Sequence, residues 1–479
     1  MNDPNLSYRS PLEARNASAQ MLRLWSPFHR VHTWRRIWLA LAESQHELGL
    51  PVSGRQVEEI RAHLQDIDFA AAERHELRLR HDVMAHVHTL GDAAPAARPI
   101  IHLGATSQDV VCNADTLIMR EGLELLATKL ARIIDQLGSF AQTHRALPTL
   151  GFTHFQSAQP TTVGKRTAMW CQDFVIALEE LEGRCAALRL RGLKGATGTQ
   201  ASFLALFGGD AAKVSALERN FVTRLGWDAD AVWGAVGQTY PRTVDAQIVS
   251  SLATAAAAIH KCATDIRLLA HLQEVEEPAE RSQIGSSAMP YKRNPMRCER
   301  ACGLARFVMS LPANALATAS TQWLERTLDD SSNRRLTLAE SFLALDGALD
   351  VMANVTAGLI VYPRRIAERL AAEMPFLATE ELLMAAVARG ADRQDAHEVI
   401  RAHSQEAARA VKEHGKPNDL LERLAQEPAF RGIDLQGVLA PERHIGLAAQ
   451  QVDAFISNCV EPIRQRYRTR VAAGADLRV

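Results

Sequence analysis

Aromatic residues are scarce, 5% of the 479-residue chain, while about one residue in six is alanine, a composition that disfavours an all-β fold and suits closely packed helices. Neither sign of charge prevails. Lys plus Arg is 54 and Asp plus Glu is 55, giving a net charge of −1, which argues against a surface built to coat DNA or anionic membrane. A local cationic pocket stays possible. No apolar run approaches the ~20 residues of a membrane span; the longest lies around Leu252 to Ile259. The opening segment MNDPNLSYRSPLEARN has no apolar run behind a basic patch, so no secretory signal is expected. The seven cysteines are scattered, with no CxxC. They read as small apolar fillers in a reduced, cytoplasmic protein.

Metal and phosphate-loop signatures are missing too. His75-Glu76 and His397-Glu398 have their next histidines, His81 and His403, six residues after the first. A zinc-protease helix needs the second four residues on, one turn later on the same face. His81, His86 and His88 cluster in sequence without a neighbouring Cys or a matching carboxylate pattern, so no metal is expected. Gly195-Ala196-Thr197-Gly198 is too short for a dinucleotide loop and lacks the Lys-Ser/Thr of a phosphate loop. The stretch 195–210 is expected to be a mobile connection.

What is present is helical periodicity on two scales. Residues 1–106 read as short helices: Thr33 to Leu48 closed by Gly49, a helix capped by Ser53, and Asp82 to Leu90 closed by Gly91. From Asp109 to about Thr143 apolar residues recur at three- and four-residue steps, predicting a helix of roughly 50 Å at 1.5 Å per residue. Further long patterns run over about Thr162 to Arg191, Arg242 to Glu276, from Pro295 with a kink at Pro312, and Ser332 to Leu359. Helices this long exceed the usual mean of about 11–12 residues, and a bundle of them offers more apolar surface than one chain buries, so homo-oligomerisation is expected. Residues 362–479 return to shorter helices. The expectation is an all-α fold of three helical domains, 1–106, 107–361 and 362–479, the central one a long-helix bundle carrying the assembly.

Three polar segments break the periodicity, where binding and catalytic groups gather. Gly104-Ala105-Thr106-Ser107-Gln108-Asp109 precedes the first long helix. Ser107 or Asp109 caps orphan amides there, or those amides and hydroxyls bind a carboxylate. In Thr149–Gln159 an imidazole, His154, sits among Thr153, Gln156 and Gln159, as a general acid or base requires. The third segment, GSSAMPYKRNP at 285–295, is followed by Glu299. Its prolines and glycine constrain the backbone, and Lys292 lies close to the paired serines. A serine acts as a base only when held as an oxyanion by amides, an ammonium and water exclusion, each oriented donor worth roughly 2.7–4 kcal/mol.

GSSAMPYKRNP closely resembles the signature loop GSSxMPxKxNP of the fumarase/aspartase superfamily, and the other two segments match its conserved regions in order. SYRSPLEAR, LRHDVMAHVH, TLGFTHFQSAQPTTVGKR, KGATGTQASF, ERTLDDSSNRR and RQDAHE resemble the adenylosuccinate lyase family, particularly its animal-type form. The resemblance spans essentially the whole chain. It implies a homotetramer whose active sites each draw three loops from three subunits, with no cofactor. The implied reaction is β-elimination of fumarate from adenylosuccinate and from succinylated aminoimidazole carboxamide ribotide (SAICAR). The nearest alternative is another fumarate-releasing lyase, such as argininosuccinate lyase, whose substrate needs no phosphate-binding arginines.

Residue roles follow from the resemblance. Ser286 would remove the Cβ proton and His154 would protonate the leaving nitrogen. Lys292 and Asn294 would stabilise the loop's charge and the substrate carboxylates, and Glu299 would support His154 or Lys292. Thr106 and Ser107 would hold the succinyl carboxylates, with Thr153 and Gln238 nearby. His81, flanked by Arg80 and Asp82, would contact the phosphate or orient the site. Arg15, Arg300, Arg326, Ser331 and Arg335 would bind the nucleotide, with Asn16 beside Arg15 where the family often carries an aromatic. Bidentate arginine contacts suit such a polyanion. Taken alone, Arg334-Arg335 reads equally as a solvated helix face. Residues 108–112 depart from the animal-type pattern, and Gln108 takes no role.

Overall fold

The computed structural model describes residues 6–280 and 288–470. Five long helices form its centre: Ser107–Thr143, Val163–Ala187, Thr243–His271, Met296–Ser320 and Asp330–Ala357. The first has 37 residues, about 56 Å at 1.5 Å per residue. The third packs along the fourth, the first along the second, and the fifth against the first and fourth. The all-α expectation holds. Among the described residues strand is confined to two small two-stranded sheets, Pro148–Thr153 with Gln156–Thr162 and Val275–Glu276 with Ile360–Val361.

Local chemistry explains the helix ends. Ser53 caps Gly54–Ala62 in a reciprocal capping box with Gln56. Ser26, with Pro27 in the first turn, starts the N-terminal helix Pro27–Glu47, earlier than apolar periodicity alone placed it. The third long helix stops at His271, short of Glu276: Gln273 takes a positive φ of 61° and Val275–Glu276 leaves to pair with Ile360–Val361. Gly164 opens the second long helix where a Cβ would lie 2.4 Å from the Ala141 carbonyl oxygen. That contact brings the start of one helix against the end of its predecessor. Pro312 lies inside the fourth.

Trp34 and Trp38 of the N-terminal helices share one apolar core with Leu126, Leu130, Ile259, Leu345 and, near the C-terminal end, Ile463 and Tyr467. A second core joins Leu370, Met374, Leu382, Ile400 and Phe430 with Leu150 of the hairpin. Five cysteines are buried and two partly so, all unpaired, in keeping with the filler reading; burial pushes the Cys171 and Cys262 thiols well up.

Two expectations are corrected. The segment around His154, read as a polar loop, is a β-hairpin with an irregular register at Leu150/Gly151. The stretch 195–210 is anchored: it contains the helix Ala201–Leu206 with Phe203 fully buried, and the Gly195 N–H bonds to Asp109 Oδ1 at 3.1 Å. The lack of clean apolar–polar alternation hid the hairpin, and glycine content masked the anchoring.

Candidate active site

The first corner of the site is the start of the Ser107–Thr143 helix. Thr106 is its N-cap residue, and the Asp109 carboxylate, at the third helical position, accepts the Thr106 N–H at 2.8 Å. Asp109 thus supplies the acidic half of a capping box, while Ser107 lies inside the helix with its hydroxyl 3.3 Å from His81 Nε2. His81 is itself an N-cap: its Nδ1 accepts the Met84 N–H at 3.4 Å, leaving the ring half-exposed. These bonds assign Nδ1 as the acceptor and Nε2 as the nitrogen that faces Ser107. Arg80 enters at φ 54°, and Asp82 accepts from Arg335 at 2.9 Å. The structure therefore brings His81, Asp82, Ser107 and Arg335 together from three separate segments.

Beside this corner, His102 Nδ1 lies 3.1 Å from Trp38 Nε1, and burial, opposed by the Asp109 charge, holds its imidazole down at about 4. His86 is also pressed down to about 4, by burial and then by Arg35 and Arg30. His86 faces the rings of Trp34 and Phe69 edge-on, whereas His88 stacks on His75. The sequence cluster of histidines is thus split, and among the described residues no group of three or more His, Cys, Asp or Glu could hold a metal ion.

A second group joins the N-terminal segment to the fourth long helix. Arg300 donates from Nε to Asn16 Oδ1 at 2.9 Å and from Nη2 to the Arg15 carbonyl at 2.8 Å. Burial and the Arg15 charge lower the Arg300 pKa, a state that an incoming anion relieves. Asn16, where the family often has an aromatic, accepts from this guanidinium at Oδ1 and donates from Nδ2 to the Pro11 carbonyl at 2.8 Å.

A third group lies between the third and fifth long helices. Arg326 donates to Asp330 at 2.7 Å, and Asp330 accepts at its other oxygen from buried Arg242, also at 2.7 Å. The Gln238 N–H bonds to the Glu325 carbonyl at 2.9 Å. Ser331 follows Asp330 in the fifth helix, half-buried. The solvated-face reading of Arg334-Arg335 holds for one residue only. Arg335 is exposed, but Arg334 is buried against Asp245 at 2.6 Å, Asp115 at 3.0 Å and the Tyr240 hydroxyl at 2.5 Å.

His154 stands apart. It and Phe155 form the two-residue turn of the hairpin, both at positive φ (54° and 56°), between the last paired residues Thr153 and Gln156. Positive φ at both central residues is the type I′ signature, usually filled by Asn-Gly. The tip is exposed, while its stem is held by Leu150 in the second core, by the Arg166 guanidinium 5.7 Å from the Phe152 ring, and by Gln159 bonding to Glu380 at 2.8 Å. Among the described residues no hydrogen bond or ion pair joins His154 to His81, Lys292 or Glu299. Lys292 is exposed, Asn294 lies beside it in the turn that leads into the fourth long helix, and Glu299 has Arg267 3.8 Å away. Ser286 lies outside the described residues.

A family model described as "Lyase" matches residues 58–310, and one described as "Adenylosuccinate lyase C-terminus" matches 375–455. The chain is 47% identical to adenylosuccinate lyase of Schizosaccharomyces pombe, over 97% of each chain. It is 48% identical to adenylosuccinate lyase of Saccharomyces cerevisiae, over 96% of this chain and 97% of the relative. The chain belongs to the adenylosuccinate lyase family. As a family member it is a lyase of the fumarase/aspartase superfamily. The crystal structure of 3-carboxy-cis,cis-muconate lactonizing enzyme from Pseudomonas putida shares the fold, with a TM-score of 0.82 at 24% identity over 96% of this chain and 99% of that one.

Sequence reasoning about this lyase missed the buried partners of the site. Arg191, Asp109, Asp330 and Arg242 are all buried; Asp109 was read only as a cap and Asp330 only as part of a longer motif, and their pairing with Arg191 and Arg242 was not read. The available signal was a charged residue inside an apolar periodic run, which seldom sits in a core without a partner.

Proposed function

We propose that this chain releases fumarate by β-elimination from adenylosuccinate, giving AMP, and from SAICAR, giving AICAR. Ser286, as an alkoxide, takes the Cβ proton. The electron pair of that C–H bond is first held as a carbanion stabilised as an aci-carboxylate, then becomes the new C=C bond as the C–N bond breaks, and His154 delivers a proton to the departing nitrogen. Lys292, Asn294, Thr106, Ser107 and Thr153 bind the succinyl carboxylates, with Gln238 near them. Arg15, Asn16, Arg300, Arg326, Ser331 and Arg335 bind the nucleotide, and His81, between Arg80 and Asp82, orients it. Glu299 supports the acid or the ammonium. The proton inventory closes within these side chains, so no metal or cofactor enters the scheme.

The observation that carries this reading is kinship along the whole length, 47% identity over 97% of both chains. A homotetramer in the cytoplasm, with each site drawing on three subunits, belongs to the same proposal. It is supported by the large apolar side chains that one chain leaves exposed on its long helices, among them Met169, Ile176, Leu316 and Leu336. The exposed, unengaged His154 at a firmly held hairpin tip supports it as well. The deciding experiment offers adenylosuccinate, argininosuccinate and malate separately and follows fumarate. Turnover of adenylosuccinate alone is expected; its absence would overturn the proposal in favour of another lyase of the superfamily.

A further inference from the structure

Asp109 and Arg191 are both fully buried and paired with each other. Asp109 does more than cap its helix. Beyond Arg191 and the Thr106 N–H, its Oδ1 accepts the backbone N–H groups of Lys194 at 2.8 Å and Gly195 at 3.1 Å. Arg191 passes the connection on, donating through Nη2 to the carbonyls of Gly195 at 2.7 Å and Gly237 at 2.9 Å. At Gly237 a Cβ would lie 2.6 Å from the Glu325 carbonyl oxygen, so the backbone there sits directly on the segment that carries Arg326. One carboxylate and one guanidinium therefore fix the relative positions of three backbone stretches: Thr106–Ser107, Lys194–Gly195, and Gly237–Gln238 with its neighbour Glu325.

We infer that Asp109 and Arg191 are positioning residues for substrate binding, holding Thr106, Ser107, Gln238 and Arg326 in register without touching the substrate. The inference deepens the proposed function and rests on it. Its physical ground is that the two outer arms of the hub end on main chain at or next to residues with a proposed substrate contact, Thr106 and Gly237–Gln238, the arms to Lys194 and Gly195 tie these two together, and the hub is closed to water. Small errors in such a frame are expensive, because binding groups must be held within about 0.5 Å of their productive places.

The test compares Asp109→Asn, which keeps the shape but removes the charge, with Asn113→Ala. Asn113 sits one turn on, bonds the Gly192 backbone at 3.0 Å in both directions and donates to the Asp109 main-chain carbonyl at 2.7 Å, so its loss disturbs the same interface while leaving every bond of the Asp109 carboxylate and the Arg191 guanidinium in place. Steady-state kinetics on adenylosuccinate are measured well below each variant's Tm. Asp109→Asn is expected to raise KM at least tenfold, whereas Asn113→Ala lowers Tm with KM within twofold of the parent. A Tm loss in both, with KM unchanged in both, would reduce the hub to a structural pair and overturn the inference. Should Asp109→Asn not fold, Arg191→Lys keeps the ion pair, drops the Nη2 bonds to the two carbonyls, and carries the same KM expectation. Absence of adenylosuccinate turnover by the parent would instead refute the proposed function, so the two failures are told apart.

Discussion

The corner around Ser107 and the hairpin tip at His154 are built in opposite ways. At the corner nearly every polar group is engaged within the chain: Asp109 collects donors from Thr106 and from the stretch Arg191–Gly195, His81 caps a helix and faces a serine, and Arg335 meets Asp82. At the tip the stem is secured while the imidazole is presented outward, on a backbone conformation that side chains other than glycine adopt at a cost. One region is organised by its own chain. The other is a projecting imidazole that meets no partner among the described residues, as the proposed sharing of an active site between copies requires.

The comparison breaks most visibly through catalysis. His154→Ala and Ser286→Ala should each reduce turnover by at least ~100-fold, in line with the 10²–10⁴ that acid–base groups contribute. Circular dichroism and assembly mass of His154→Ala should stay unchanged, because the exposed imidazole makes no hydrogen bond or ion pair among the described residues. Near-normal turnover in either variant would remove its assigned role. Stability responds in the reverse sense. Asp109→Ala leaves the Arg191 charge buried without its partner, and a loss of about 3–5 kcal/mol is expected on denaturant unfolding, against less than ~0.5 kcal/mol for Thr153→Ala on the exposed tip. Similar losses at the two sites would erase the contrast.

Acid sharpens the same distinction. His102, at the organised corner, is held at about 4 in the folded chain, below its usual 6.5. Its contribution is fully present above pH 6.5 and is lost as pH falls toward 4, because the unfolded chain takes up the proton first. Each pH unit in that window costs about 1.4 kcal/mol, so unfolding midpoints at pH 7 and pH 5 should differ by about 2 kcal/mol more in the parent than in His102→Gln. Equal pH dependence would place the titrating group elsewhere. The smallest effect is at the turn. Phe155→Gly relieves a positive φ and should stabilise by about 1 kcal/mol; a clear loss of Tm would show that the Phe152–Phe155 contact, with ring centroids 5.7 Å apart, outweighs the strain.

The long helices were legible because apolar spacing at 3.6 residues survives in any window of the chain, and the caps at Ser53 and Gly49 punctuate it. Lys292, His154 and Thr106 stood out as candidates because three polar segments interrupt that periodicity. The hairpin was not, since Thr149–Gln159 mixes small, polar and aromatic residues without clean alternation, and its hold comes from Leu150 entering a core contributed by distant helices. The Asp109–Arg191 hub was also hidden. Its partners are 82 residues apart, and its other arms end on main chain, which leaves no side-chain pattern to read. Arg334 illustrates the same limit from the other side: its sequence neighbour is solvated while it is buried, a difference set by 100° of helix rotation.

Mixing the two inactive variants tests the central claim most directly. Ser286→Ala and His154→Ala proteins are dissociated together, reassociated, and assayed for fumarate release from adenylosuccinate, with hybrid formation followed by mass. If base and acid of one site come from different copies, hybrids contain sites that carry both intact residues, and a substantial fraction of parental activity returns. Hybrids that form yet stay as inactive as their parents would show that one chain supplies both groups, and the contrast between an organised corner and a waiting tip would lose its functional meaning.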